Sequence, residues 1–169
     1  AERPMVSIII PALNEEEYLA RCLEAVNGLD APKEQFEVIV VDNGSVDDSI
    51  KFTNEYYPEV IIIQHPTNSG FAEGNNIGID YAIKNFDPKY AVTLNNDTIV
   101  DPSWLEELIK PFSMYPKIGI TTSKIRLLYK FLILELIPEE DTILKSLKVN
   151  SPDYKIVDYT NSLKMFLKE

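Results

Sequence analysis

Asn95-Asn96-Asp97 ends an apolar run, residues 90–94, and is soon followed by Asp101-Pro102. Two amides and a carboxylate leaving a buried strand side by side can accept N–H and O–H donors or hold a hard cation. A second acid, Asp42, ends the purely apolar run 38–41 in the same manner. Two carboxylates at adjacent strand ends suit a division of labour. One would accept from a ring N–H or a ribose hydroxyl, and the other would hold Mg²⁺ or Mn²⁺ against a diphosphate, since such ions are held by one or two carboxylates plus substrate phosphates.

The elements that must position these groups alternate along the first two thirds of the chain. Apolar runs at 5–10, 36–41, 60–63 and 90–94 read as buried strands, and 118–122 as a fifth. Helical spacing of apolar residues marks 14–27, 45–57, 71–86 and 102–115, the first through Leu19, Cys22, Leu23 and Val26. Strand–helix–strand repetition with short connections predicts an α/β fold, a three-layer sandwich with a mostly parallel, Rossmann-like sheet. In such sheets ligands bind beyond the carboxyl ends of the strands. Those positions are Pro11-Ala12-Leu13-Asn14-Glu15, Asp42-Asn43-Gly44-Ser45, the segment His65 to Gly70, and Asn95-Asn96-Asp97. Beyond Ile125 the pattern changes: 127–137 reads as strand or helix, 138–147 as helix, 154–157 as a short strand and 161–167 as a last helix.

Composition removes several classes. The 169 residues carry a net charge of −11 with no basic cluster, which argues against nucleic acid and anionic lipid as partners. Cys22 is the only cysteine and His65 the only histidine, so neither a disulfide framework nor a Cys/His zinc site is expected, and a reducing, cytoplasmic setting is. The run 127–137 includes Lys130 and Glu135 and falls short of the ~20 residues of a membrane-spanning helix. The first strand–helix turn contains no glycine, which disfavours both the dinucleotide G-x-G-x-x-G turn and the P-loop. Gly70, Gly74 and Gly78 lie four apart, near one face of a helix, and would allow close packing or close ligand approach.

Four blocks then match a family. VSIIIPALNEEEYLARCLEAV, FEVIVVDNGSVDDS, PTNSGFAEGNNIGIDYA and AVTLNNDTIVDPSWLEEL, in this order, resemble the family 2 glycosyltransferases of the glycosyltransferase-A fold, nearest to the rhamnosyltransferase-like branch. The resemblance implies that Pro11, Ala12, Leu13, Asn14 and Glu15 form the first loop, against base and ribose. It implies that Asp42 reads a uracil or thymine edge, with Asn43 and Ser45 beside it, and that Gly70 and Asn76 lie beside ribose and diphosphate. Asn95-Asn96-Asp97 occupies the family's D-x-D position, so Asp97 is the metal ligand, and Asn95 stands where a second acid would be. The implied chemistry is an inverting displacement: an acceptor hydroxyl, deprotonated by a carboxylate, attacks the anomeric carbon of a nucleoside-diphosphate sugar, and Mg²⁺ or Mn²⁺ stabilises the leaving diphosphate.

The expected organisation is a nucleotide-sugar-binding domain over 1–125 and a shortened acceptor-side segment over 126–169, packed on the same domain. Within the latter, Glu140-Asp141 resembles the family's late acidic pair, with Asp141 as base; the bland alternative is a helix first-turn acid. Other residues have bland readings too. Ser45 with Asp48, and Asn14 with Glu17, match capping boxes; Asp101 reads as an N-cap; Asn75 and Asn76 could cap or bend a helix start. The expected partners are the donor and a carbohydrate or lipid-linked acceptor, with room for a homodimer and for a peripheral seat at the inner face of a membrane. The rival function is a degenerate transferase that binds a nucleotide sugar or a partner chain without turnover.

Overall fold

The computed structural model describes residues 5–125, together with the backbone of two short strands at 130–131 and 154–155. The chain divides into two compact units, residues 1–123 and 124–169. In the first, strands β1 (Val6–Ala12), β2 (Phe36–Asp42), β3 (Ile61–Gln64) and β4 (Tyr90–Thr93) alternate with helices α1 (Glu16–Asn27), α2 (Ser49–Tyr56), α3 (Phe71–Asn85) and α4 (Trp104–Met114). The strands form one parallel sheet in the order β3-β2-β1-β4. The second unit contains a parallel pair, β5 (Lys130–Phe131) with β6 (Tyr154–Lys155).

Every residue of β1 is buried, which explains its apolar run: helices cover both of its faces. Val6, Ile8, Ile10 and Ala12 point to one core with Leu19, Cys22, Leu23 and Val26 of α1 and Leu105 of α4. Ile9 points to the other, with Ile39, Val41 and Ala82 of α3. Gly78 is what lets α3 lie so close, since a Cβ there would meet Ile9 Cγ2 at 2.4 Å and Val41 Cγ2 at 3.1 Å. Gly74 does the same one turn earlier, where a Cβ would meet Asn43 Nδ2 at 2.8 Å and Pro11 Cβ at 3.3 Å. The glycine spacing is therefore explained by packing at 74 and 78. Gly70 differs: it precedes α3 at φ 86, in the left-handed region, with nothing near its missing Cβ.

Several sequence expectations are corrected here. Residues 118–122 form no strand. They leave α4 through a turn closed by the Ile118 N–H on Tyr115 O, and Thr121 Oγ1 donates to Leu108 O at 2.8 Å, so the segment is tied to α4 rather than paired in the sheet. Asp42 and the strand preceding Asp97 are not neighbours either, because β1 lies between β2 and β4. The capping boxes are not used. Helix α2 begins at Ser49, not Ser45, because Asp47 Oδ1 takes both the Ser49 N–H, at 3.1 Å, and the Ser49 hydroxyl, at 2.6 Å. Helix α4 begins at Trp104; Asp101 Oδ1 closes a turn before it by accepting from Ser103 N and Ser103 Oγ at 3.0 and 2.8 Å.

The sheet order also places the site. From β1 the chain proceeds outward to β2 and β3, then returns across the sheet through α3 to β4 on the other side of β1. The reversal puts the topological switch point at the carboxyl ends of β1 and β4, where Leu13–Glu15 and Asn95–Asp97 leave the sheet.

Candidate functional site

The loops after β1 and β2 hold each other in place. The Asn14 backbone N–H donates to Ser45 Oγ at 3.0 Å, and Asn14 Oδ1 accepts the Val46 N–H at 2.7 Å. Asn14 adopts φ 52 to make this exchange, so it is a loop staple and not the cap of α1. A second tie runs from the Glu16 N–H to Asp47 Oδ2 at 3.2 Å. Burial pulls the Asp47 carboxyl upward, but the hydrogen bonds from Ser49 and Glu16 outweigh it and hold the group below the ordinary aspartate value. Nothing in the sequence reading singled out Asp47; the one available signal was an acid placed to compete with Ser45 for the start of α2.

Asp42 is buried at the end of β2, opposite Ala12 in register, and its Oδ1 accepts the Ser45 N–H at 2.9 Å across Gly44, which has φ 89. Asn43 is equally buried. Its Oδ1 accepts from Ser69 Oγ at 2.9 Å and its amide donates to Gly70 O at 3.4 Å, which links the second loop to the start of α3. Pro11 and Ala12 are buried within β1, so they shape the floor beneath these loops, while Leu13 is half-buried and Glu15 exposed.

The fourth loop alternates. Asn95 and Asp97 are exposed and Asn96 between them is buried, with its Nδ2 donating to Glu15 Oε2 at 2.6 Å. Asn95 O also accepts from Cys22 Sγ at 3.7 Å and from the Thr98 N–H at 3.2 Å. Burial first, and then the negative charge of Asp97, push the Cys22 thiol up to about 12 against a backbone hydrogen bond from Thr98. Cys22 is thus a neutral thiol beneath the loop, not a nucleophile. The same interaction places the Asp97 charge near Cys22 of α1. The two acids follow parallel strands and so lie at the same end of the sheet, with β1 between their strands.

Asn76 does not converge with the others. Gly74 and Gly78 face the sheet, and two residues on from Gly74 is about 200° around the helix, so Asn76 is exposed on the far side of α3. Its neighbour Asn75 is the buried one; its Nδ2 donates to Phe71 O at 2.9 Å, and its Oδ1 has no partner among the described residues. Asp141 lies outside the described residues.

Among the described residues no three His, Cys, Asp or Glu side chains gather into a ready-made metal cage. Asp97 is exposed, and no described residue hydrogen-bonds its carboxylate. One open carboxylate fits an ion of the Mg²⁺ or Mn²⁺ kind that takes its remaining ligands from phosphate and water, and does not fit an all-protein site.

The family model "Glycosyl transferase family 2" matches residues 7–169. The chain belongs to glycosyl transferase family 2. Poly(ribitol-phosphate) beta-glucosyltransferase of Bacillus spizizenii is 33% identical over 98 residues, covering 56% of this chain and 15% of that protein. Glycosyltransferase AglE of Haloferax volcanii is 32% identical over 113 residues, covering 65% and 36%. The chain thus spans well under half the length of these relatives. Among solved structures, S. aureus TarS 1-349 in complex with UDP-GlcNAc superposes at a TM-score of 0.59 with 24% identity, covering 66% of this chain and 32% of that one. Mannosyltransferase PcManGT of Pyrobaculum calidifontis in complex with GDP-Man and Mn²⁺ superposes at 0.55 with 22% identity, covering 67% and 33%. At that identity the likeness shows the fold, which is the glycosyltransferase-A fold expected from the four sequence blocks. None of the helices among the described residues is long and apolar enough to cross a membrane.

Proposed function

We propose that this family 2 chain binds a nucleoside-diphosphate sugar at the carboxyl end of its sheet and transfers the sugar, with inversion, to a hydroxyl of a carbohydrate or lipid-linked acceptor. The observation that carries this reading is the arrangement of Asp42 and Asp97: a buried, loop-held carboxylate after β2 and an open one after β4, at the same end of the parallel sheet. Asp42, stiffened by the Ser45 N–H, accepts from the base edge. Leu13 and the stapled Asn14–Ser45 loops form the wall against base and ribose. Gly70, with no side chain near the start of α3, leaves room for the ribose–diphosphate link.

Asp97 would hold the cation, Mg²⁺ or Mn²⁺, with the Asn95 carboxamide beside it as a neutral oxygen ligand or a hydrogen-bond donor to phosphate. When bound, that ion supplies Lewis-acid stabilisation of the leaving diphosphate. The protein's own part is to fix the diphosphate end at Asn95–Asp97 and the base end at Asp42, so that the anomeric carbon is held between the leaving diphosphate and the acceptor hydroxyl. The acceptor proton goes to a carboxylate base, for which Asp141 is the proposal. The chain works in the cytoplasm, where nucleotide sugars are available, with a peripheral seat at the inner membrane face if the acceptor is lipid-linked.

The test is calorimetric titration with UDP-, dTDP- and GDP-sugars, with and without Mn²⁺, alongside a transfer assay on a panel of acceptors. One donor is expected to bind with Mn²⁺-dependent affinity, lost in Asp97→Ala. Donor binding without turnover on any acceptor would replace the transferase by a binding module, and a folded chain that binds no donor with metal present would sink the reading.

A further inference from the structure

Glu15 is separated from Asn96 by 81 residues, yet the Asn96 side chain is buried on it at 2.6 Å, a short charge-assisted hydrogen bond at the switch point of the sheet. A residue turned inward between two outward ones fixes where those two point. With Asn96 held on Glu15, Asn95 and Asp97 on either side are both exposed. Helix α1 restrains the same loop a second time, through Cys22 Sγ on Asn95 O at 3.7 Å. Both contacts are part-buried, one from Glu15 at the end of the first loop and the other from Cys22 in the helix that follows it.

Resting on the donor-binding reading above, we infer that Glu15 is a positioning residue for the diphosphate–metal end of the site, acting through Asn96, and is not a contact of the base or ribose. The Glu15 carboxylate sets the rotamer of Asn96, Asn96 sets the course of the loop, and the loop presents Asp97. Replacing Glu15 should therefore harm cation-dependent diphosphate binding and spare binding of the nucleoside. A base or ribose contact would do the reverse. Glutamine, whose Oε1 also accepts from Asn96 Nδ2, should restore function where alanine does not.

The experiment uses the chain as it is, titrated with uridine, UDP and GDP, each with and without Mn²⁺. In Glu15→Ala the gain in UDP or GDP affinity brought by Mn²⁺ should fall about tenfold, with uridine affinity unchanged within about twofold. Glu15→Gln should keep most of the gain, and Asn96→Ala should match Glu15→Ala, with the double variant no worse than either single one. A Glu15→Ala variant that loses uridine and UDP equally, with or without Mn²⁺, or that loses nothing, overturns the inference. If the unsubstituted chain binds no nucleotide, the donor-binding reading fails, and Mn²⁺ alone decides the positioning role. Paramagnetic broadening centred on the Asn95–Thr98 amides, dispersed over other acids by Glu15→Ala but not by Glu15→Gln, supports it. The same broadening in all three chains overturns it.

Discussion

The Asn14 N–H donates to Ser45 Oγ at 3.0 Å while Asn14 Oδ1 accepts the N–H of the next residue, Val46, at 2.7 Å. This exchange joins the loops after two neighbouring strands, and Asn14 pays for it with a left-handed backbone, φ 52. Asn14→Ala loses the side-chain bond and keeps the strained conformation, so it should cost about 1–2 kcal/mol. Ser45→Ala should cost about 1 kcal/mol, and the double variant less than the sum. Urea unfolding midpoints measure all three. The Asn14→Ala variant should also bind donor more weakly, because the loop that carries Ser45 sits on Asp42.

Gly78 tests how closely α3 must approach the sheet. A Cβ there falls at 2.4 Å from Ile9 Cγ2, deep inside contact distance, in a core where β1 is buried on both faces. Gly78→Ala gains helix propensity but overpacks, and a net loss of about 1–3 kcal/mol is expected, with a lower thermal midpoint. Gly119→Ala is the control, since nothing lies within 4 Å of the added Cβ. It should change stability by less than about 0.5 kcal/mol.

Glu37 predicts an inverted pH dependence. Burial raises its carboxyl above the ordinary 4.5, against a hydrogen bond from Ser7 that lowers it, and Glu37 Oε2 has no partner among the described residues. A carboxyl whose folded value is raised contributes stability fully below its unfolded value and loses that contribution as pH rises through the folded value. Unfolding midpoints between pH 4 and 8 should therefore decline less steeply in Glu37→Gln than in the unsubstituted chain. Asp47 acts in the opposite sense: lowered in the fold, it contributes above 3.8 and loses that contribution as pH falls through the folded value. Asp47→Asn should remove that acid-side loss.

Cys22 should be almost inert. With its thiol pushed up to about 12, the thiolate at pH 8 is on the order of one part in ten thousand. Reaction with a thiol-directed disulfide reagent should be slow until the chain unfolds. Asp97→Asn, which removes the nearby charge, should speed labelling modestly, whereas a distant acid-to-amide change such as Glu59→Gln should not.

Much of this is legible in the amino-acid sequence alone. The strands of a parallel sheet covered on both faces must be apolar runs, and Ile8, Ile9 and Ile10 reveal β1 as plainly as Val38 to Val41 reveal β2. Because parallel strands point the same way, the polar residues after each run had to gather at one end. That logic alone nominates Asp42 and Asp97 as candidates. Helix starts were harder. Ser45, Asp47, Asp48 and Ser49 all have side chains able to take a backbone N–H, and only the competition among them, decided by the Gly44 turn and the Asn14 staple, puts the first turn at Ser49.

Sequence by itself determined the sheet type, the family and the end of the molecule where polar groups collect, since these follow from local periodicity and from residues in consecutive blocks. Tertiary structure decided which residue meets which. β1 sits between the strands of the two acids, Asn75 rather than Asn76 turns inward, the segment 118–122 lies on α4, and Glu15 holds Asn96. Each of these depends on strand order, on the rotational phase of a helix or on a contact between residues far apart in the chain. A one-dimensional pattern carries no such information, because the energy that selects among the alternatives comes only when the packed layers bring those atoms within bonding distance.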